Sequence, residues 1–177
     1  MSLQIHVLNG SSIHERDLRG MAPLLESIFG APVDIDRADL DLAVAFDASR
    51  GQSNSTALLA QLLEGNEDPA KKRIAVVEVD LFIPVLTFVF GEAQLNGTAA
   101  IVSTHRLSNR AYGLPENRKL MLERLEKEIV HELGHTFGLY HCHQFECVMR
   151  SSTYVEEIDM KRAYPCEACA ASLGVGS

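Results

Sequence analysis

The pattern of apolar and polar residues along this chain predicts strands that alternate with helices. Short apolar or alternating segments typical of strands lie at residues 4–9, 33–36, 74–79, 85–90 and 99–103, and residues 81–84 form a loop or a further short strand. A polar loop is expected at residues 47–53. Because helices separate most of these strands, we expect an α/β (α+β) fold with a mixed, mainly parallel, twisted sheet.

Two helices are predicted among the first strands. Ser11-Ser12 supply N-cap candidates for the first helix, which ends near Gly30. Its apolar face consists of residues at helical spacing: Leu18, Met21, Leu24, Leu25 and Ile28. Ser53 or Asn54 caps the second helix, which runs through Leu63. Capping residues and glycines therefore bound these two helices.

A long third helix follows, and Pro115 suits its first turn. The apolar stripe of this helix comprises Leu122, Leu125, Ile129, Leu133 and Phe137. Its solvent-facing side comprises Glu123, Arg124, Glu126, Lys127 and Glu128. Beyond Gly138 the chain is weakly periodic and rich in cysteine. We therefore expect a single domain, 1–177, with an upper lobe at residues 1–138 that includes this helix and a small lower lobe at residues 139–177.

Three histidines at the end of the long helix form the most informative pattern in the chain. Residues 131–142 contain the pattern H-E-x-x-H-x-x-G-x-x-H-C. On a helix, His131 and His135 stand one turn apart, and Gly138 permits a turn that brings His141 to the same point. Three imidazoles with one open position predict a catalytic zinc site, since a structural site has a fourth protein ligand. The alternative is a helix with two surface histidines and a glycine cap, which needs this spacing to arise by chance.

All four cysteines follow the predicted active-site helix and form two close pairs, Cys142 with Cys147 and Cys166 with Cys169. This layout is typical of a tetrahedral zinc–thiolate site, so we predict two Zn²⁺ ions per chain, one catalytic and one structural. Disulfides or free buried thiols are the alternatives. Because Cys142 directly follows His141, we hypothesise that the thiolate site stiffens the support of the catalytic zinc.

Met149 follows the second cysteine by two positions. A methionine there is either an ordinary core residue or a Met-turn, whose thioether packs beneath the three imidazoles without binding the metal. Its position after the histidine motif favours the Met-turn.

The net charge and the hydropathy of the chain limit the classes of partner that it is expected to bind. The formal net charge is −8 at pH 7, and the longest basic run is Lys71-Lys72-Arg73, which disfavours binding to nucleic acid or to a membrane surface. No apolar run approaches the roughly 20 residues needed to span a bilayer, and the first residues lack the basic start of a signal peptide. We therefore expect a cytoplasmic protein, in which cysteines serve more readily as metal ligands than as disulfides. The oligomeric state is open.

With these motifs the chain resembles the archaemetzincins, a family of zinc metallopeptidases in the metzincin clan. The shared pattern is H-E-x-x-H-x-x-G-x-x-x-C, then x-four-C-x-M, and then C-x-x-C. It occurs here at His131, Glu132, His135, Gly138, Cys142, Cys147, Met149, Cys166 and Cys169, with His141 before Cys142. Residues 79–84 and 88–93 are also similar to strands of the family, and the sixteen residues between Met149 and Cys166 are the one departure in spacing. The resemblance implies a metzincin-like zincin fold with a small C-terminal lobe stapled by a structural zinc.

The activity expected from these residues is hydrolysis of peptide bonds in a peptide or protein substrate. Zinc held by the three histidines activates water, and Glu132 takes the proton as general base and later delivers it to the leaving amine. The substrate is expected to lie extended beside an edge strand, with residues 95–101 as the candidate. One alternative is a zinc-organised peptide- or protein-binding module with little or no catalysis. Another is a metal-dependent ribonuclease, whose pattern H-x-x-x-H-x-x-x-x-x-H carries glycine where Glu132 stands.

Overall fold

The computed structural model describes residues 2–174, so residues 175–177 of the predicted lower lobe lie outside the described part. The strands of this part are β1 (Gln4–Asn9), β2 (Val33–Arg37), β3 (Phe46–Asp47), β4 (Gln52–Asn54), β5 (Lys71–Val77), β6 (Leu81–Phe82), β7 (Gly91–Ala93) and β8 (Ala99–Ser103). Its α-helices are α1 (Glu15–Phe29), α2 (Leu42–Ala45), α3 (Ser55–Leu63), α4 (Arg118–Thr136), α5 (Val155–Asp159) and α6 (Glu167–Ser172). Two 3₁₀ turns, His105–Leu107 and Asn109–Tyr112, precede α4.

Five strands form the main sheet in the order β2-β1-β5-β8-β7. The first four of these are parallel to their neighbours, whereas β7 pairs antiparallel with β8 at one edge. The predicted mixed, mainly parallel sheet is therefore confirmed.

Helices cover both faces of the main sheet. Successive side chains of its central strands point to opposite faces and pack against different helices. Ile74 and Val76 of β5 belong to an apolar cluster with residues of α1 and α4, whereas Ala75 and Val77 belong to a cluster with residues of α3. All four side chains are fully buried. Burial on both faces explains the continuous apolar run of this strand. Each large aliphatic side chain contributes about 1.5–3 kcal/mol through its burial.

A smaller sheet has the order β3-β4-β6. Residues 47–53, predicted as a polar loop, contain the turn of the antiparallel β3–β4 hairpin, where the Asp47 carboxylate accepts a hydrogen bond from the Ser49 backbone N–H at 2.9 Å. The prediction missed the pairing on either side of this turn. Strands of two or three residues are too short for an alternating pattern to appear.

The first helix ends where the sequence predicts and begins differently. Gly30 ends α1 with a φ of 64°, a conformation that glycine adopts without strain. His14 is the N-cap residue and makes no side-chain capping bond, so the prediction of Ser11-Ser12 as N-cap was wrong. Ser11 instead donates its hydroxyl to Asn9 Oδ1 at 2.8 Å, within the loop that joins β1 to α1.

Residues 85–90, predicted as a strand, form a loop. Val85 and Leu86 are 83% and 50% exposed, and an isolated bridge joins Leu81 to Val89. The strand that follows begins at Gly91. The run is apolar because it borders the cleft described below, and the periodicity of the sequence does not distinguish a cleft wall from a buried strand.

Helix α4 carries the histidine motif. Asn117 caps it by accepting a hydrogen bond from the Leu120 backbone N–H at 3.0 Å, so Pro115 lies before the helix and the prediction of Pro115 in its first turn was wrong. The buried centre of the predicted apolar stripe is confirmed, with Leu125, Ile129 and Leu133 inside the core.

The predicted solvent face of α4 is partly buried. Arg124 and Glu128 are only 4% and 3% exposed, which contradicts the prediction for these two residues. Arg124 binds Asp159 of α5 through two 2.7 Å contacts. The chain after α4 folds back over this side of the helix, and a pattern confined to α4 contains no sign of it.

The chain beyond α4 shares the apolar cluster of α1, α4 and the main sheet, to which it contributes Leu139, Cys147, Val148, Met149, Val155 and Ile158. Within residues 2–174, no helix combines the length and the apolarity that a membrane crossing requires.

Candidate active site

The three histidines of the motif converge. His131 and His135 lie on α4, and Gly138, with a φ of 91°, turns the chain so that His141 joins them. One ring nitrogen of each residue lies within 4.8 Å of the other two. The Nε2 atoms of His131 and His135 are 3.2 Å apart.

Backbone carbonyls orient two of these rings. His131 Nδ1 donates to the Val148 carbonyl at 2.8 Å, and His135 Nδ1 donates to the Leu139 carbonyl at 2.7 Å. With the proton on Nδ1, each Nε2 presents a lone pair to the centre. Desolvation by burial lowers the pKa of all three histidines, and that of His131 falls well below its usual value. Burial therefore favours the neutral imidazole that a metal needs.

The histidine cluster fits a zinc ion. Zinc–nitrogen bonds of about 2.0–2.1 Å in a tetrahedral site imply ligand nitrogens about 3.3–3.4 Å apart, close to the 3.2 Å between the Nε2 atoms of His131 and His135. Among residues 2–174 the cluster contains these three side chains and no fourth histidine, cysteine or carboxylate. The arrangement thus leaves one corner of a tetrahedron for water or substrate.

The side chain of Glu132, a residue of α4, faces the edge strand β7. A Cβ atom on Gly91 would come within 2.7 Å of Glu132 Oε1, so the glycine at this position of β7 makes room for the carboxylate. Desolvation by burial, with the nearby carboxylates Glu128 and Glu92, raises the pKa of Glu132 well above its usual value. A carboxylate with a raised pKa is a stronger base, as proton abstraction from water requires.

Met149 packs beneath α4 at the level of the motif. A Cβ atom on Gly134 would lie 2.4 Å from Met149 Sδ, so only glycine at this position lets the thioether approach the helix backbone. The Met149 carbonyl accepts a hydrogen bond from the Cys142 backbone N–H at 2.9 Å. The segment that contains Met149 therefore contacts both the helix of the histidines and the chain that follows His141.

The four cysteines also converge. Their Sγ atoms lie within 4.8 Å of one another, with Cys142 and Cys166 3.8 Å apart and Cys147 and Cys169 3.9 Å apart. These distances exclude disulfides in this structure, and all four are free thiols. Zinc–sulfur bonds of about 2.3 Å imply sulfur atoms about 3.8 Å apart in a tetrahedral site.

The protonation of one of these thiols also suits a metal site. A hydrogen bond from the Cys169 backbone lowers the pKa of the Cys166 thiol to about 7. At neutral pH this thiol is therefore a ready source of the thiolate that zinc requires.

A cleft of about 590 Å³ opens beside the three histidines. Its lining consists of the loop before β7, part of α4 and the segment after Met149: Leu86–Gly91, Glu128, His131, Glu132, His141, Ser151–Tyr154 and Lys161. Tyr154 is 66% exposed on this lining. His131, His141 and Glu132 therefore border the same cleft.

Sequence analysis missed two charged residues of the cleft, Glu128 and Lys161. Both are buried, and Lys161 Nζ lies 3.8 Å from Glu128 Oε1. Lys161 Nζ also donates to the Val148 carbonyl at 3.4 Å, the same carbonyl that accepts from His131. Glu128 stands one helical turn before His131 and Glu132, and this spacing was a usable signal. Lys161 comes from a later segment, and no local pattern identifies it.

The candidate strand for substrate binding was also wrong. Strand β8 (Ala99–Ser103), which includes the end of the predicted segment 95–101, lies between β5 and β7 in the interior of the sheet. The edge strand beside the histidines is β7.

A mixed sheet, a helix that carries two of three convergent imidazoles, and a buried carboxylate on that helix are the arrangement of a zinc metallopeptidase. Comparison with known proteins agrees. The model of peptidase family M54 matches residues 32–174. An archaemetzincin of Methanocaldococcus jannaschii is 35% identical to this chain over 169 residues, which cover 96% of the chain and 92% of the relative.

Solved structures agree as well. The zinc-dependent peptidase of Methanocorpusculum labreanum has a TM-score of 0.83 at 30% identity and covers 96% of this chain and 99% of its own. The archaemetzincin of Archaeoglobus fulgidus has a TM-score of 0.78 at 34% identity, with the same coverage. The chain belongs to peptidase family M54, the archaemetzincins, and is a zinc metallopeptidase that acts on peptide or protein substrates. The predicted fold class, enzyme class and family resemblance are confirmed.

Proposed function

We propose that His131, His135 and His141 hold the catalytic zinc of this peptidase and that Glu132 is its general base. The observation that carries this assignment is the convergence of three ring nitrogens within 4.8 Å, with the Nε2 atoms of His131 and His135 3.2 Å apart and Nδ1 of these two rings bound to backbone carbonyls. Such preorientation lowers the entropic cost of binding the metal.

We propose a second, structural zinc at Cys142, Cys147, Cys166 and Cys169, and therefore two Zn²⁺ ions per chain. Two sulfur pairs have the 3.8 and 3.9 Å spacing of a tetrahedral zinc–thiolate site, and all four sulfur atoms lie within 4.8 Å of one another, which supports this site. A cluster of four free thiols also suits a reducing compartment, which supports the cytoplasm as the location. Met149 serves as the Met-turn, in keeping with its contact beneath Gly134.

The chemistry divides between the metal and the protein. Bound zinc supplies Lewis-acid activation of water and of the peptide carbonyl. Glu132 takes a proton from water on its carboxylate oxygen and transfers it to the nitrogen of the departing amine. Its raised pKa makes the carboxylate a stronger base, and its burial against β7 keeps it out of bulk water. The carbonyls of Val148 and Leu139 hold two imidazoles in position throughout.

We propose that the substrate backbone lies extended along the free side of β7 (Gly91–Ala93). An edge strand offers unpaired N–H and C=O groups to an added strand. The contact of Gly91 with Glu132 brings such a peptide next to the general base.

We propose that the two lobes predicted from the sequence both line the cleft. Residues 1–138 contribute β7 and α4, and residues 139–177 contribute residues 151–154. We propose this division as the architecture of the single domain.

Replacement of Glu132 by alanine tests the assignment of the base. We expect the variant to keep its zinc and to lose at least about a hundredfold in kcat, the lower end of what a general base contributes. The measurement is cleavage of a broad peptide library by zinc-replete protein, with zinc content determined on the same samples. A Glu132→Ala variant that retains its zinc and cleaves as fast as the parent would contradict the mechanism.

A further inference from the structure

The cleft beside the histidines contains polar groups that the mechanism does not use. Glu128, Ser152 and Lys161 line it together with His131 and Glu132. Glu128 Oε1 and Ser152 Oγ are buried and have no hydrogen-bond partner within residues 2–174. Leaving a buried polar group unsatisfied destabilises the folded protein. Both residues line one cleft, so a rotation of the side chains would present these oxygen atoms to a ligand that completes their hydrogen bonds.

Lys161 adds a donor to these groups. Its Nζ lies 3.8 Å from Glu128 Oε1, which is beyond hydrogen-bond distance, and makes one 3.4 Å bond to the Val148 carbonyl. An ammonium group has three N–H donors, so donor capacity remains. The part of the cleft lined by Glu128, Ser152 and Lys161, here called the pocket, thus offers acceptors at Glu128 and Ser152 and a donor at Lys161.

The net charge of the pocket decides among substrate side chains. Glu128 and Lys161 together are neutral, whichever of the two holds the proton between them. Because this pair is neutral, it supplies no net counter-charge to a basic or an acidic side chain, and an uncompensated charge is costly in a region of low dielectric constant. An apolar side chain leaves the oxygen atoms of Glu128 and Ser152 unsatisfied. A neutral side chain with both a donor and an acceptor satisfies all these groups.

We propose that this pocket binds a carboxamide side chain, that of glutamine or asparagine, on a substrate residue next to the scissile bond. The amide N–H₂ group donates to Glu128 Oε1 and Ser152 Oγ, and the amide oxygen accepts from Lys161 Nζ. The pocket shares its lining with His131 and Glu132, which places its occupant beside the reacting peptide. This inference rests on the proposed function and assigns specificity roles to Glu128, Ser152 and Lys161.

Matched peptides test the preference. Library profiling with zinc-replete enzyme identifies the cleaved bond, and a series then carries glutamine, methionine, glutamate or lysine at each flanking position in turn. Methionine has nearly the shape of glutamine without its hydrogen bonds. We expect kcat/KM to be about ten- to a hundredfold higher for glutamine than for methionine at one flanking position. We expect glutamate and lysine to be cleaved more slowly than glutamine.

An apolar pocket is expected to reverse this preference. In the double variant Glu128→Leu with Lys161→Met, both members of the buried pair become apolar, a change that proteins often tolerate. Because each enzyme is compared on two peptides, a general loss of rate cancels in the ratio. We expect the ratio of kcat/KM for glutamine over methionine to fall below one. The matched control replaces the exposed pair on the same helix, Lys119→Met with Glu123→Leu, and is expected to keep the parent ratio.

A single substitution provides a second test that does not depend on folding of the double variant. Ser152→Ala removes one acceptor from the lining, and we expect it to lower the same ratio about two- to tenfold with zinc content unchanged. A parent enzyme that cleaves peptides without preferring carboxamides, or a Ser152→Ala variant with the parent ratio, overturns this inference and leaves the peptidase assignment intact. A zinc-replete parent that cleaves no peptide overturns both.

Discussion

The histidine centre and the cysteine centre are adjacent in the chain, since Cys142 follows His141, yet they are built in opposite ways. Two of the three histidines lie on one rigid helix, and the cluster borders an open cleft. The four cysteines come from turns and from the start of the short helix α6, and their sulfur atoms lie within 4.8 Å of one another, which is enough ligands for a closed tetrahedral site. One centre therefore keeps a position for chemistry, and the other is suited to hold the chain together.

The two centres share support. Val148, between Cys147 and Met149, accepts the hydrogen bond from His131 Nδ1, and Met149 packs beneath α4. A zinc ion that holds Cys147 in position would therefore also hold the Val148 and Met149 contacts in position. We therefore expect that damage at the cysteine centre also perturbs the histidine centre, whereas removal of the catalytic metal leaves the cysteine centre intact.

Replacement of Cys166 by alanine is expected to have the largest effect. Loss of one thiolate should weaken zinc binding at the cysteine centre by at least a hundredfold, about 3 kcal/mol, and lower the free energy of unfolding, because metal binding contributes directly to folding. Through the shared support, we expect catalytic zinc to bind about ten- to a hundredfold more weakly. Zinc titration and thermal unfolding measure both effects. Ser172→Ala on α6 is the control.

Normal affinity for catalytic zinc and normal activity in Cys166→Ala, with the structural zinc lost, would mean that the two centres are independent. The hypothesis that the cysteine centre stiffens the support of His141 would then be wrong.

A brief exposure to chelator is expected to separate the two centres. With the proposed ligands, a zinc ion at the histidine centre would have an open corner that a chelator can enter, whereas four thiolates would enclose an ion at the cysteine centre. We expect loss of one zinc per chain with complete loss of peptidase activity and little change in thermal stability, and recovery of activity on adding zinc back. Metal analysis, activity and melting temperature on the same samples test this. Simultaneous loss of both ions, with unfolding, would contradict the contrast.

The sequence predicts the histidine centre well because its geometry is local. The i, i+4 spacing of His131 and His135 on one helix needs no knowledge of the rest of the fold. The same holds for β1 and α3, whose capping and alternation lie within the element. Residues 85–90 misled the prediction because apolar side chains line a cleft as well as a core. The burial of Glu128 could not be predicted from α4 alone, since the chain around Lys161 covers it only after folding.

Replacement of Gly134 by alanine tests the shared support with a smaller change. The added Cβ would lie 2.4 Å from Met149 Sδ, and we expect a net loss of about 1–3 kcal/mol in the free energy of unfolding from this clash. Lower affinity for catalytic zinc should accompany it.

Gly20→Ala is the matched control for Gly134→Ala. Gly20 also lies in a helix, and its added Cβ would have no heavy atom within 4 Å. Alanine has the higher helix propensity, so we expect a gain of about 0.5–1 kcal/mol. Equal effects of the two substitutions in denaturant unfolding would show that Met149 does not press on α4.

The central claim is that one protein domain holds two zinc ions in chemically different shells. X-ray absorption at the zinc edge, recorded on zinc-replete protein before and after brief chelation, measures those shells directly. The account predicts two zinc ions with a mixture of nitrogen, oxygen and sulfur neighbours at first, and then one ion with only sulfur at about 2.3 Å. A single zinc per chain, or a mixed shell that chelation leaves unchanged, would contradict it.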